Sequence, residues 1–189
     1  MPLIVKAKQR ILDFDIENRP LTYIGNDFTT AEITAIAASW VGSSEIQTWL
    51  LGRDDPFDML CAFCKLYDAA DVVTGHYIRK HDLPIINGAM LEIGLRPLSP
   101  KLASDTKLDL IVRAGVSASQ ESLSGLLGLP ASKFHMTQTM WRQANRLEAL
   151  ELTKRRVAGD VKQHKLLREE LIALGWLGPP KMWGRARSG

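Results

Sequence analysis

Residues 11–18, Ile-Leu-Asp-Phe-Asp-Ile-Glu-Asn, constrain this chain more than any other stretch. They read as a short apolar strand that ends by presenting two carboxylates, Asp15 and Glu17. Successive strand side chains point to opposite faces, so Asp15 and Glu17 project together while Ile16 turns away. Two carboxylates fixed side by side repel each other unless a cation sits between them. Hard oxygen donors of this kind suit Mg²⁺ or Mn²⁺. A strand end with two solvated acids is also an ordinary surface feature. A metal site therefore requires further acids elsewhere in the chain that converge on the same place.

The 189 residues, 46% hydrophobic and 24% charged, fit a single globular domain with a real core and do not fit a disordered chain. No apolar run approaches the ~18 residues of a membrane span. The N-terminus lacks the apolar core and cleavage site of a signal peptide. The expected compartment is the cytoplasm, or the host cytoplasm for a phage-encoded chain. The two cysteines, Cys61 and Cys64, have no second pair at zinc spacing. They share an apolar stripe with Phe57 and Leu60 at helical spacing, which favours buried free thiols over a redox pair. The net charge of +3 conceals an asymmetry. Residues 1–95 hold 8 Lys/Arg against 13 Asp/Glu, and residues 96–189 hold 16 against 8. An acidic half joined to a basic half suits a metal-dependent enzyme acting on nucleic acid, although ordinary surface charge gives the same count.

The pattern along the chain predicts strands at 10–18, Leu21–Ile24, Glu32–Val41 and Ile46–Leu51, with a turn at Asn18-Arg19-Pro20. The Ala-rich third strand is the weakest pattern of the four. Asp55 and Pro56 cap a helix running to Tyr67. Asp71–Gly75 reads as a short buried strand, where the sheet turns parallel. Further helices are expected from Asp82, over Ser119–Leu127, over Met136–Arg146 and over Leu147–Leu174, the last ended by Gly175. A short strand is expected before Asp105. The order predicts a mixed sheet flanked by helices in one α/β domain over residues 1–178, with a loosely ordered basic tail over 179–189.

Two more acids are candidates to complete the site. Asp82 follows the buried strand and the Gly75 turn, at a helix start where backbone N–H groups would hold it. Asp160 lies in the last long helix beside Val157, Ala158 and Val161, so it faces either the core or a site. With Phe14-Asp15-Ile16-Glu17, Gly75-His76-Tyr77, His81-Asp82-Leu83-Pro84 and Asp160-Val161 in this order, the chain resembles the DEDD 3′–5′ exonucleases of the ribonuclease-H-like fold, which include the proofreading domains of DNA polymerases. Asp105-Thr106 and Ser122-Leu123-Ser124-Gly125-Leu126-Leu127-Gly128 match elements that many members carry between the second and third motifs. The resemblance covers roughly residues 10–175.

The resemblance implies a ribonuclease-H-like mixed β-sheet and a 3′–5′ exonuclease with a two-metal-ion mechanism, releasing nucleoside 5′-monophosphates. Asp15, Glu17, Asp82 and Asp160 would hold two Mg²⁺ or Mn²⁺ ions, one serving the attacking water and one the leaving oxygen. Ile16, His76, Arg155 and Arg156 are the expected substrate-binding positions. The partner would be a single-stranded DNA or RNA 3′ end, with a DNA polymerase acting in trans as a further candidate and no membrane. The basic helices, with Lys154, Arg155, Arg156, Lys162, Lys165 and Arg168, would track the phosphate backbone. One departure stands out. The family's third motif carries Tyr four residues before the Asp or His five before it, where this chain has Arg156 and Arg155. Arginine is never deprotonated, so neither is a general base. Arg156, one helical turn before Asp160, would instead hold the scissile phosphate as a catalytic cation, or simply face solvent. His164 is a substitute base on the right side of the helix but in the wrong direction along it. His81 is expected to pack, and His135 to lie on the surface. The same departure motivates a second reading, a catalytically weak or inactive nucleic-acid-binding or polymerase-accessory protein of this fold. A nuclease cutting internally is a third.

Overall fold

In the computed structural model, which describes residues 9–20, 31–111, 116–130 and 134–184, the run at 11–18 lies in the middle of a sheet. β1 (Ile11–Pro20) pairs antiparallel with β2 (Ala31–Trp40), and β2 antiparallel with β3 (Gln47–Leu50). On its other side β1 runs parallel to β4 (Val72–Gly75), and β4 parallel to β5 (Lys101–Asp105). β6 (Lys181–Trp183) closes that edge antiparallel to β5. The order β3-β2-β1-β4-β5-β6 makes a six-stranded mixed sheet that turns parallel at β4, as expected. With helices on both faces this is an α/β domain consistent with a ribonuclease-H-like fold.

Strand alternation divides the core in two. Leu12, Phe14 and Ile16 of β1 and Ile36 and Ala38 of β2 point to one face. There they meet Met59, Leu60 and Phe63 of α1 (Pro56–Ala69) and Leu83 and Ile86 of α2 (Asp82–Glu92). Full burial of side chains the size of Phe14 or Leu12 contributes about 1.5–3 kcal/mol each. The opposite face carries Ala35 and Ala37 of β2, packed with Leu50, Val157 and Val161. The last two belong to α5 (Leu150–Ala173), against which α3 (Gln120–Leu126) and α4 (Gln138–Asn145) pack in turn. The alanines that made β2 an uncertain strand are thus the small residues that let α5 lie close to the sheet.

Asp55 caps α1 as expected, accepting from the N–H groups of Phe57 and Asp58, with Pro56 in the first turn. The buried stripe of α1 is Met59, Leu60, Phe63 and Tyr67, one step away from the expected one. Phe57 is exposed, and Cys61 and Cys64 are half-buried free thiols. Burial pushes the Cys64 thiol up to about 11, which disfavours the reactive thiolate at neutral pH. β1 does not turn at Asn18–Pro20. It continues to Pro20 through a register shift between Glu17 and Asn18. The strand expected at Leu21–Ile24 lies outside the described residues. Part of the presumed loose tail is β6, which occupies the free edge of β5. Among the described residues no helix is long and apolar enough to cross a membrane.

Candidate functional site

Strand parity places Asp13, Asp15 and Glu17 on the face of β1 that looks toward α5. A step of two strand residues spans about 6.6–6.8 Å. A step of four helical residues spans about 6 Å. Alternate residues of β1 therefore match every fourth residue of α5, read in the opposite direction. Asp13 meets His164, whose Nδ1 lies 2.8 Å from both carboxylate oxygens. Asp15 meets Asp160, and Glu17 meets Arg156. One ligand oxygen from each of Asp15, Glu17 and Asp160 lies within 4.8 Å of the others. The Arg156 Nε stands 3.2 Å from Glu17 Oε1 and 2.8 Å from Asp160 Oδ2. Ala35 and Ala37, packed against Val157 and Val161, keep the helix near enough for these contacts.

Asp82 reaches the same cleft from the other side. β4 ends at Gly75, where an added Cβ would lie 2.2 Å from Ile78 Cγ2 and 2.8 Å from the Phe14 carbonyl oxygen, so only glycine fits. The chain then passes through Tyr77 at φ +70°, a left-handed conformation that bulky residues rarely adopt. The fully buried Asp105, at the end of β5, fixes this turn. Its Oδ1 accepts from the Tyr77 N–H at 2.9 Å, and its Oδ2 from the Arg79 N–H at 3.1 Å. Asp82 begins α2, and its Oδ1 accepts from the Ile16 N–H at 3.2 Å. That donor belongs to β1 beyond the end of its ladder with β4, so Asp82 satisfies an otherwise unpaired strand group. Its other oxygen lies 3.2 Å from His81 Nδ1. Asp82 is not part of the tight three-acid group, but it faces the same space.

That space is a cleft of about 330 Å³. It is lined by Asp15, Ile16, Glu17, Asp82, Arg156 and Asp160, and also by His76, Tyr77, His81, Lys107, Ser119 and Gln120. Asp15 is the focus of its electrostatics. Burial, and then the neighbouring Asp82, Asp160 and Glu17 carboxylates, hold its pKa well above the ordinary carboxylate range, and Arg156 only partly offsets them. Some of the Asp15 surface stays accessible, but protein surrounds it closely enough for burial to be the largest cause. Such a group favours a proton or a cation. Hydrogen bonding to Asp82 raises the pKa of His81, which favours its charged form at the rim. The donor set consists of carboxylate oxygens without sulfur, which fits Mg²⁺ or Mn²⁺.

The structure brings Asp15, Glu17, Asp82, Asp160 and Arg156 together, with Ile16 and His76 in the same lining. The Ile16 side chain is buried in the other core, so its backbone N–H is what faces Asp82. His76 holds Thr106 through Nδ1 at 2.9 Å and lines the cleft as well. Arg155 is exposed and lies outside the cleft lining, stacked 4.3 Å above the Phe134 ring. His164 is not placed as a base, because it is buried on Asp13. Lys165 also leaves the expected phosphate track. Its ammonium donates to Ser39 Oγ and to the Ser43 carbonyl, joining α5 to the end of β2. His81 is half-exposed beside Asp82 rather than packed, and His135 is exposed as expected.

Sequence reasoning did not single out Lys107, Ser119 or Gln120. Lys107 stands 4.1 Å over the Tyr77 ring, and the Gln120 amide donates to the Asp160 carbonyl at 2.8 Å. Their only signal was adjacency to the Asp105-Thr106 and Ser-Leu elements.

No protein-family model matches this sequence, and no curated protein matches it. Among solved structures, the family B DNA polymerase from the hyperthermophilic archaeon Pyrobaculum calidifontis is similar in fold, with a TM-score of 0.65 at 16% identity. The match takes in 88% of this chain and 25% of the polymerase, so the chain spans about a quarter of the protein it resembles. At that identity the likeness is one of fold alone.

Proposed function

We propose that this chain is a metal-dependent 3′–5′ exonuclease acting on single-stranded DNA or RNA ends. The observation that carries the reading is the convergence of Asp15, Glu17 and Asp160, from a strand and a helix, on a cleft that Asp82 also faces. The fold likeness to a DNA polymerase supports a nucleic-acid role. The sequence motifs narrow that role to the exonuclease kind. Asp15, Glu17 and Asp160 would hold the divalent ion, with Asp82 completing the set for a second. Bound Mg²⁺ or Mn²⁺ would supply Lewis-acid stabilisation of the phosphoryl group and a more acidic water. The chain's own groups then have defined parts. The Ile16 backbone fixes Asp82, His76, held by the buried Thr106, lines the path to the acids, and Lys107 offers a cation to substrate phosphate. Arg156 would contribute positive charge at the scissile phosphate, as arginines do in other phosphoryl transfers.

The test is digestion of 5′-labelled oligonucleotides with Mn²⁺, Mg²⁺ or EDTA, with Asp15→Ala alongside. A metal-dependent ladder that shortens from the 3′ end and vanishes in Asp15→Ala is expected. A second reading, a binding module of the same fold, is favoured by the contact of Arg156 with two of the acids. Retained binding with no cleavage under any metal would decide for it.

A further inference from the structure

We infer that Arg156 is a tethered counter-cation of the acidic cluster, which a divalent ion must displace before the site is loaded, and which is then free for a substrate phosphate. The inference rests on the exonuclease reading above and deepens it.

Three observations carry it. First, the Arg156 Nε lies between Glu17 Oε1 at 3.2 Å and Asp160 Oδ2 at 2.8 Å, two of the three carboxylates that come within 4.8 Å of one another. A guanidinium there neutralises part of a cluster whose mutual repulsion is already felt at Asp15. An ion drawing on the same two carboxylates competes with it directly. Second, the side chain is held from behind. Its Nη1 donates to the Phe134 carbonyl at 3.1 Å, and its guanidinium carbon stands 5.6 Å over the Trp141 ring. Losing the carboxylates therefore leaves Arg156 anchored at the rim of the cleft, with its charge in need of a new anion. Third, its side chain is only 15% exposed, so the charge is poorly served by water and gains from whichever anion is at hand. A phosphate accepts from the guanidinium fork as well as a carboxylate does.

Metal and phosphate then exchange one partner. The metal takes the carboxylates from Arg156, and the phosphate takes Arg156 from the carboxylates. Each event makes the other easier, and the coupling is reciprocal. A lysine or a neutral residue at 156 would break this exchange, because neither offers the same planar fork.

The experiment measures Mn²⁺ binding by calorimetry in the absence of any nucleic acid, in wild type, Arg156→Gln and Arg156→Lys. Thermal melts in EDTA and in Mn²⁺ accompany the titrations. Without Arg156 the ion has no internal competitor. Arg156→Gln is expected to bind Mn²⁺ about tenfold more tightly, within the ~5–150-fold span usual for coupled sites. It should also melt lower than wild type in EDTA and gain more from Mn²⁺. Arg156→Lys should fall between the two, and it serves as the test chain should Arg156→Gln not fold. Wild type that binds Mn²⁺ while neither variant binds it more tightly overturns the inference and leaves the exonuclease reading standing. Absence of Mn²⁺ binding in all three chains overturns the metal-site reading itself, and this inference with it.

Discussion

Asp105 lies outside the acidic cluster, yet it holds the turn that carries His76 and Tyr77 toward the cleft and leads on to Asp82. Its carboxylate accepts four backbone N–H groups. Oδ1 takes those of Tyr77, Lys107 and Leu108 at 2.9, 3.0 and 3.0 Å, and Oδ2 takes that of Arg79 at 3.1 Å. The group has no exposed surface, so water cannot replace it readily. Hydrogen bonds to a charged acceptor contribute about 1.5–3 kcal/mol each, and a buried donor left alone costs about 1–3 kcal/mol. The Lys107 and Leu108 bonds are local and partly replaceable by the turn itself. Those to Tyr77 and Arg79 bridge more than 25 residues and are not. Counting the two long-range bonds fully and the local ones lightly, Asp105→Ala should cost about 4 kcal/mol, a large fraction of a typical domain's ~5–15 kcal/mol. Asp105→Asn keeps the Oδ1 position but sets an amide N–H against the Arg79 N–H, so it should cost about 2 kcal/mol. Urea unfolding followed by far-UV circular dichroism reads both values, provided the slope m is unchanged. Two results would refute the reasoning: a cost below about 1 kcal/mol for Asp105→Ala, or equal costs for the two substitutions.

Three further expectations follow from the site and its supports. The folded protein holds the Asp15 proton more tightly than the unfolded chain does, whose value is near 3.8. In EDTA, stability should therefore fall as pH rises from there, past the carboxylate range and up through the raised folded-state value. Asp15→Asn should flatten that slope and raise the melting temperature at pH 7, and a melting temperature that climbs with pH in wild type but not in the variant would contradict the assignment. Gly75→Ala forces a methyl to 2.2 Å from Ile78 and 2.8 Å from the Phe14 carbonyl, which should cost about 3 kcal/mol by denaturation. A cost under 1 kcal/mol would mean the β4–α2 turn is looser than described. Asp13→Ala leaves the buried His164 ring without its hydrogen-bond partner and should cost about 2 kcal/mol, within the ~1–3 kcal/mol of an unpaired buried polar group. An unchanged chemical-denaturation midpoint would remove that pair from the account of how α5 is held.

Much of this arrangement is legible in the chain because two periodicities carry it. Period two in β1 sets Asp15 and Glu17 on one side and Phe14 and Ile16 on the other, and that alternation survives folding intact. Pro56 after Asp55, and the buried Val72–Gly75 run, announce α1 and β4 by local chemistry alone. What the chain conceals is which polar groups find each other across long separations. Lys165 and Arg156 look alike on a basic helix. Only the approach of β2 and β1 turns the first inward to Ser39 and the second onto Glu17. Phe57 reads as core from its spacing, but α1 is rotated so that Met59 and Phe63 take the buried stripe. β6 had no signal of its own, since three residues after a Pro-Pro pair become a strand only because β5 has a free edge.

The rungs between β1 and α5 join residues 139 and 151 positions apart. Their consequence lies in the order in which a ribosome delivers the chain. Asp15 and Glu17 precede β2, β3, β4 and β5 in the chain, while Asp160 and His164 follow all four. A chain made only as far as β5 therefore carries Asp15, Glu17 and Asp82 but lacks the helix that brings Asp160 to them. Under the proposed nuclease reading, hydrolytic capacity would appear only once α5 has been made, which would spare surrounding nucleic acid from the partial chain.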